Sequence, residues 1–305
     1  LTQPVIKARC AFSGFSGKSN RPGCRSRPMQ VPDPFDDDLR GRVRDVDRVM
    51  GGVRDDVAAH GDPRGFLKMY SPPVIFDEIQ YAPGLLPYIK ERVDSHRNEA
   101  GQFILTGSQN IMLFGQVTES LAGRVAVLRL LPLSSREMLG LPDALLPWER
   151  GEGVEIKGLA HRRLWESFLR GGYPELVANP RRDAGLWHGS YIQTYLERDI
   201  RSLRQIGDLT QFQSFLRALA ARSAQLFNMS EIARDLGLAV NTIKAWLSIL
   251  EATYQVFILR PYFANMTKRL VKTPKVYFAD VGTLCHLVGL KDAEHAMPGP
   301  MAGAI

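Results

Sequence analysis

Cysteine is scarce in this 305-residue chain: Cys10, Cys24 and Cys285 are an odd number at unrelated spacings. That pattern excludes a disulfide framework and a cysteine zinc site, and it suits a reducing compartment. Long apolar runs are lacking too. No stretch approaches the ~18 residues of a membrane helix, and the first thirty residues have no apolar middle of the secretory kind, so the expectation is a cytoplasmic protein without a membrane anchor. Acidic residues are missing from Leu1 to Pro32, which holds six basic ones: Lys7, Arg9, Lys18, Arg21, Arg25 and Arg27. Setting those six aside from the net charge of +7 leaves about +1 for everything after Pro32. The overall basicity is therefore no footprint for a phosphate backbone. What is present is an apolar fraction of 45%, enough for ordinary cores, and a length that suits two domains.

Residues 1–53 show neither helical nor strand periodicity; Arg, Ser, Gly and Pro dominate first, then Asp and Arg. Two readings stand open for this segment: a disordered tail, or a stretch translated in the wrong frame. Pattern begins at Arg54. A helical turn at Arg54–Ala59 precedes a strand at Val74–Asp77, a helix at Leu85–His96, a strand at Phe103–Thr106, a helix at Ile111–Leu121 and a strand at Val125–Leu130. The helix carries Leu85, Leu86, Ile89 and Val93 on one face, and the strands are short apolar runs without alternation, as in a parallel sheet covered on both faces. That predicts a doubly wound α/β unit. Beyond Pro132 the chain turns helical, at Leu164–Leu169, Tyr191–Leu203 and Leu209–Phe227. In the last of these Leu209, Phe212, Phe215, Leu216, Leu219 and Leu226 form one wide core stripe.

The string VIFDEIQ, Val74–Gln80, is an apolar strand ending in two acids, at the strand end where open parallel sheets place ligand chemistry. It resembles a Walker B motif, although strands also end in acids simply to face a helix N-terminus. The resemblance makes Asp77 the Mg²⁺ residue and Glu78 the base that polarises the attacking water. One helix later FILTGSQN, Phe103–Asn110, ends in small polar residues. Ser108 or Asn110, with Thr106 behind them, is placed to bond the attacking water or the γ-phosphate; the alternative is a hydroxyl-capped turn.

Further strings extend the match: DPRGFL (Asp62–Leu67), SLAGR (Ser120–Arg124), GGYPE (Gly171–Glu175), YLERDI (Tyr195–Ile200) and KVYFADVG (Lys275–Gly282). Together, from about Asp55 to Ile305, they resemble AAA-type P-loop ATPases with a C-terminal region of unknown function, a winged helix followed by a restriction-endonuclease-like fold. The resemblance implies ATP and Mg²⁺, and an Arg124 that reaches phosphate from its own or a neighbouring subunit; the competing role for Arg124 is a salt bridge fixing its loop. It makes Arg198 and Asp199 a structural charged patch. It also implies a phosphate loop, G-x-x-x-x-G-K-[ST]. The nearest string, FSGFSGKS at Phe12–Ser19, supplies Gly17, Lys18 and Ser19 but has Phe12 where the first glycine belongs, and Asn20-Arg21-Pro22-Gly23 follow where a helix should. A damaged loop, a coincidence and a wrong frame all fit it. At the other end Gly299–Ile305 resembles the entrance to the nuclease-like fold.

Residues 228–290 read as helix Ser230–Leu236, a stop at Gly237, helix Asn241–Glu251, and a ribbon of Gln255–Arg260 with Lys275–Ala279. Ile232, Ala233, Leu236, Ile243, Trp246, Leu247 and Leu250 are the expected buried set. On DNA, Asn241, Thr242, Lys244 and Ser248 would face bases, while Lys268, Arg269, Lys272 and Lys275 would touch phosphates. One lysine and no arginine on the second helix is poor equipment for base readout, which favours a protein contact. The expected architecture is thus a partial AAA-type doubly wound parallel sheet (54–135), a helical linker (136–227), a winged-helix-like module (228–290) and the start of a nuclease-like domain (291–305). The expected function is ATP binding with impaired hydrolysis, as a monomer or homo-oligomer; the alternative is a non-enzymatic DNA- or protein-binding fragment.

Overall fold

The computed structural model describes residues 59–107, 121–141, 159–196, 209–261 and 273–305, and the backbone of 47–49. The expectations for Gly17, Lys18, Ser19, Ser108, Asn110, Arg198, Asp199, Lys268, Arg269 and Lys272 lie outside those residues. The chain divides into two units, one ending at Arg129 and the other beginning at Leu130.

In the first unit three short strands, β1 (Asp47–Val49), β2 (Val74–Phe76) and β3 (Phe103–Leu105), form a parallel sheet in the order β1-β2-β3. Val74 aligns with Asp47 on one side and with Phe103 on the other. The β1 strand falls inside the aperiodic segment, where no sequence pattern announced it. Between β1 and β2 runs α1 (Pro63–Met69), started by the DPRG string: Asp62 caps it by accepting from the Gly65 N–H at 2.9 Å, and Pro63 occupies the first turn, where no N–H is needed. Between β2 and β3 runs α2 (Leu86–Ser95). Phe66, Val74, Phe76, Ile79, Leu85, Leu86, Ile89 and Leu121 make the buried core of this unit, with Phe76 ringed by Phe66, Tyr70 and Phe103. The strand expected at Val125–Leu130 is not formed. Its residues belong to none of the described strands, and Val125, Val127, Leu128, Leu130 and Leu131 are exposed, Leu130 by 77%. An apolar run becomes a strand only beside a partner, and no described strand lies next to it.

The second unit begins with α3 (Ser135–Met138), whose Ser134 and Glu137 form a capping box, and continues through α4 (His161–Arg170), α5 (Pro174–Ala178) and α6 (Ala184–Tyr191). A π turn, Ile192–Leu196, extends α6 into the start of the helix expected at Tyr191–Leu203. Then come α7 (Leu209–Ala220), α8 (Met229–Leu236) and α9 (Val240–Ala252), with β4 (Val256–Leu259) antiparallel to β5 (Lys275–Phe278), and finally α10 (Val281–Leu287) and α11 (Ala293–Ala296). Phe212, Phe215, Leu216 and Leu219 of α7 are fully buried against Ile232, Ile243, Trp246, Leu250 and Val276. Each large side chain so buried contributes about 1.5–3 kcal/mol. Gly237 ends α8 at φ +66°, a left-handed conformation that a side chain would strain.

Helix α7 stops at Ala220 rather than continuing to Phe227. Ala224 N–H donates to the Val276 carbonyl and Phe227 N–H to that of Pro274, both at 2.8 Å, so the chain is drawn alongside β5 and its side chains alternate. Phe227 goes inward and Leu226, expected in the core, is 67% exposed. Cys285 is buried, and burial pushes its thiol up to about 12, so it is no nucleophile at neutral pH. Among the described residues no helix is long and apolar enough to cross a membrane.

One buried polar joint knits this unit together. Asp280, 4% exposed, caps α10 by accepting from the Thr283 N–H (2.7 Å) and hydroxyl (3.0 Å), and its other oxygen accepts from the Gly172 N–H (2.7 Å). His188, 1% exposed, turns Nε2 to the Arg170 carbonyl at 3.1 Å and Nδ1 to the Thr283 hydroxyl at 3.2 Å. A carbonyl only accepts, so Nε2 carries the ring proton and Nδ1 accepts; the one Thr283 hydroxyl proton then serves either Nδ1 or Asp280 at a time. Burial holds His188 below the ordinary imidazole value, against the pull of the Arg170 carbonyl and the Asp280 carboxylate, and burial also depresses the neighbouring His286. Both folded values lie below 6.5, so as pH falls through 6.5 the unfolded chain takes up protons first. Stability is therefore complete above pH 6.5 and declines below it. Urea midpoints measured between pH 7.5 and 5.5 are expected to fall, with a shallower fall in His188→Gln; an unchanged slope would mean the ring is not held neutral.

Candidate functional site

The first unit brings two carboxylates to the carboxyl end of β2. The parallel ladder runs one step past the strands, with Thr106 N–H donating to the Phe76 carbonyl at 2.9 Å and Ile79 N–H to the Thr106 carbonyl at 3.1 Å. This fixes Asp77 and Glu78 at the point where β2 breaks off, beside the end of β3. The Thr106 hydroxyl donates to Asp77 Oδ1. Glu78 stands in the left-handed region, φ 54° and ψ 41°, a conformation that a residue with a Cβ adopts at a cost. Such outliers persist where the surrounding structure imposes them and cluster at functional sites. Two 3₁₀ turns, Ile79–Tyr81 and Pro83–Leu85, follow and lead into α2, with Ile79 and Leu85 buried beneath. The anchoring is one-sided, core below and carboxylates above.

Glu78 has a side-chain neighbour that sequence reasoning passed over: Gln80 Nε2 donates to Glu78 Oε2. The other end of that amide, Gln80 Oε1, is buried and has no hydrogen-bond partner among the described residues. The DEIQ string held the signal, since residues two apart across a tight turn can bring side chains to the same side.

Arg124 occupies the role of a loop clamp. Its Nε donates to Asp94 Oδ1 at 2.7 Å and its Nη1 to the Ala122 carbonyl at 2.9 Å, tying the SLAGR loop to the end of α2. The Arg124 guanidinium holds the Asp94 carboxyl below the usual carboxylate range, with Arg97 assisting against partial desolvation. Asp94 was not foreseen as its partner. Of the candidate nucleic-acid cations, Lys244 on α9 and Lys275 at the start of β5 are among the described residues, and both are exposed. Lys275 stands opposite Leu259 in the ribbon, near an exposed ledge of stacked Phe257 and Tyr277.

The chemistry of the donor set suits a hard cation. Among the described residues no three His, Cys, Asp or Glu side chains gather into a metal cage. A Mg²⁺ ion needs none, because it keeps water and substrate oxygens and takes one or two carboxylates from protein. Asp77 offers such a carboxylate, with one oxygen steadied by Thr106.

Comparison with known proteins gives two family matches: an AAA domain over residues 52–139, and a domain of unknown function (DUF8612) over residues 161–294. Uncharacterized proteins of Mycobacterium tuberculosis and Mycobacterium bovis are each 34% identical over 253 residues, covering 82% of this chain and 52% of their own length. An uncharacterized protein of Haemophilus influenzae is 24% identical over 230 residues, 73% of this chain and 54% of its own. The chain thus spans about half the length of the curated relatives it matches. No solved structure matches it. Residues 52–139, with a parallel sheet and paired acids at a strand end, are an AAA-like ATPase region with a nucleotide-binding type of fold.

Proposed function

We propose that this protein binds Mg-ATP through its AAA-like region, with Asp77 as the residue facing Mg²⁺ and Glu78 as the general base. The observation that supports this most directly is the pair of carboxylates at the end of β2, the first accepting from Thr106 of the adjacent strand. Bound Mg²⁺ supplies charge neutralisation of the phosphates. In hydrolysis Glu78 accepts a proton from water while the water oxygen bonds to the terminal phosphorus and the bond to the leaving diphosphate breaks. Ser108 or Asn110 would bond the same water or phosphate, and Gly17, Lys18 and Ser19 would cradle the phosphates. The clamp on Asp94 favours the loop-fixing role for Arg124 over a phosphate contact within its own chain. With Phe12 in the place of the loop's first glycine, turnover is expected to be slow. The second unit's helix–turn–helix and ribbon form a winged-helix-like module in this reading, and the single cation on α9 supports a protein contact.

The test is titration with a fluorescent ATP analogue in Mg²⁺. Asp77→Ala is expected to weaken binding about tenfold or more, equivalent to roughly 1.4 kcal/mol, whereas Glu78→Gln retains binding and loses turnover. Equal affinity in Asp77→Ala would sink the proposal. Duplex DNA binding indifferent to ATP would move the function to the second unit.

A further inference from the structure

We propose that the outer face of the β4–β5 ribbon binds single-stranded nucleic acid, with bases stacking on Phe257 and Tyr277 and Lys275 meeting a phosphate. This function lies outside the nucleotide site and does not depend on it. Along the ribbon the side chains alternate between two faces. Val256, Val276 and Phe278 go inward to the core, and Ile258 packs against it. Their neighbours Phe257, Leu259, Lys275 and Tyr277 share the outer face, and the bridge from Leu226 to Lys275 carries that face one chain segment further. A sheet with one face on the core ordinarily turns a polar face to water. Here the outer face is Leu226, Phe257, Leu259 and Tyr277 around one lysine, with Leu226 67%, Leu259 53% and Phe257 50% exposed. An exposed apolar patch of this kind marks a surface that takes a partner.

Charge and ring geometry choose the partner. From Arg260 to Lys275 the sequence has five basic residues, Arg260, Lys268, Arg269, Lys272 and Lys275, and no acid. A second copy would meet this cationic stretch with another of the same sign, so the face suits a polyanion rather than a dimer. Phe257 and Tyr277 stand directly opposite each other on the two strands, with ring centroids 5.1 Å apart and planes 9° from parallel. Rings that close leave no slot between them, so they form one platform whose open side is the half-exposed ring of Phe257. A nucleic-acid strand is the polymer that brings both a negative charge and a flat ring with every unit. In a duplex those rings are hidden in the stack, and α9 with its one lysine is poorly equipped to read a groove. The single strand is therefore the form that fits.

The test is fluorescence anisotropy of labelled oligonucleotides with the full chain, at low salt and without ATP. Oligothymidylate or oligouridylate is expected to bind about tenfold or more tightly than an abasic strand of equal length, which keeps the phosphates and loses the rings. Phe257→Leu keeps apolar area but not the flat ring, and is expected to abolish that preference with the thermal midpoint unchanged, whereas Phe257→Tyr keeps it. Lys275→Ala is expected to weaken both strands alike and to flatten the salt dependence. Ultraviolet crosslinking of a bromouridine strand to the parent chain locates the contact without any variant, and a crosslink in the peptides carrying Phe257 or Tyr277 supports the platform even where Phe257→Leu unfolds. Several results would overturn the proposal: no binding of any strand, equal affinity for thymidylate and abasic strands, tighter binding of a duplex of the same length, or crosslinks confined to other peptides. Polyglutamate competing as well as oligothymidylate would overturn it too, by making the face a dock for an acidic protein.

Discussion

Asp280→Ala is expected to lower the stability of the second unit by about 2–6 kcal/mol, the penalty of two buried donors left without an acceptor. The carboxylate accepts from three donors, the N–H groups of Gly172 and Thr283 and the Thr283 hydroxyl, at 2.7 to 3.0 Å. Alanine orphans the two buried N–H groups, at roughly 1–3 kcal/mol each, and removes the N-cap of α10 as well. Against a typical total of about 5–15 kcal/mol, this is enough to leave a measurable unfolded population under mild conditions. Asp280→Asn keeps one acceptor oxygen and places an NH₂ group against the remaining donors, so an intermediate loss is expected. Urea unfolding followed by tryptophan fluorescence checks both. A loss below about 1 kcal/mol for alanine would mean that water replaces the carboxylate, and the joint would then be a wet surface feature rather than a buried one.

Gly172→Ala is the second large effect. A Cβ at Gly172 would stand 2.3 Å from the Leu133 carbonyl oxygen, which is main chain and cannot rotate aside. Nor can the two segments separate freely. Leu133 N–H donates to the Gly172 carbonyl at 2.7 Å, and Gly172 N–H is held by Asp280 at the same distance. Relief of the clash therefore breaks at least one of these bonds, and the expected cost is about 3 kcal/mol, at the upper end for overpacking. For a unit of this size that corresponds to a fall in melting temperature of roughly 6–12 °C. A fall under about 2 °C would show that the segment around Leu133 shifts without resistance. Because both substitutions act on the Gly172 N–H, their effects are expected to fall short of additive in the double mutant.

The joint also shows how the sequence carried information that it did not explain. GGYPE and KVYFADVG were visible as strings, yet nothing in composition or spacing said that Gly172 and Asp280, 108 positions apart, are bonded to one another. The helices were legible because their apolar residues repeat at three and four: Phe212, Phe215, Leu216 and Leu219 are buried as the stripe predicted. Leu226 was not, because past Ala220 the chain leaves the helical period for a bridge beside β5. At the candidate site Asp77 and Glu78 could be seen from an apolar strand ending in acids. Thr106 as the donor to Asp77, Gln80 as the donor to Glu78, and Asp94 as the anchor of Arg124 depend on how the turns close. The apolar run at Val125–Leu130 suggested a strand, yet it joins none of the described strands.

That bare run governs how the protein behaves as a material. Six of the seven residues Val125–Leu131 are apolar, with Arg129 the single charge and no proline among them. Val125, Val127, Leu128, Leu130 and Leu131 are exposed rather than packed into a described core. Concentrated solutions will therefore tend to turn cloudy through chain-to-chain strand growth seeded at this stretch, while the well-buried helical unit stays intact, and purification yield will be limited by stickiness rather than by unfolding.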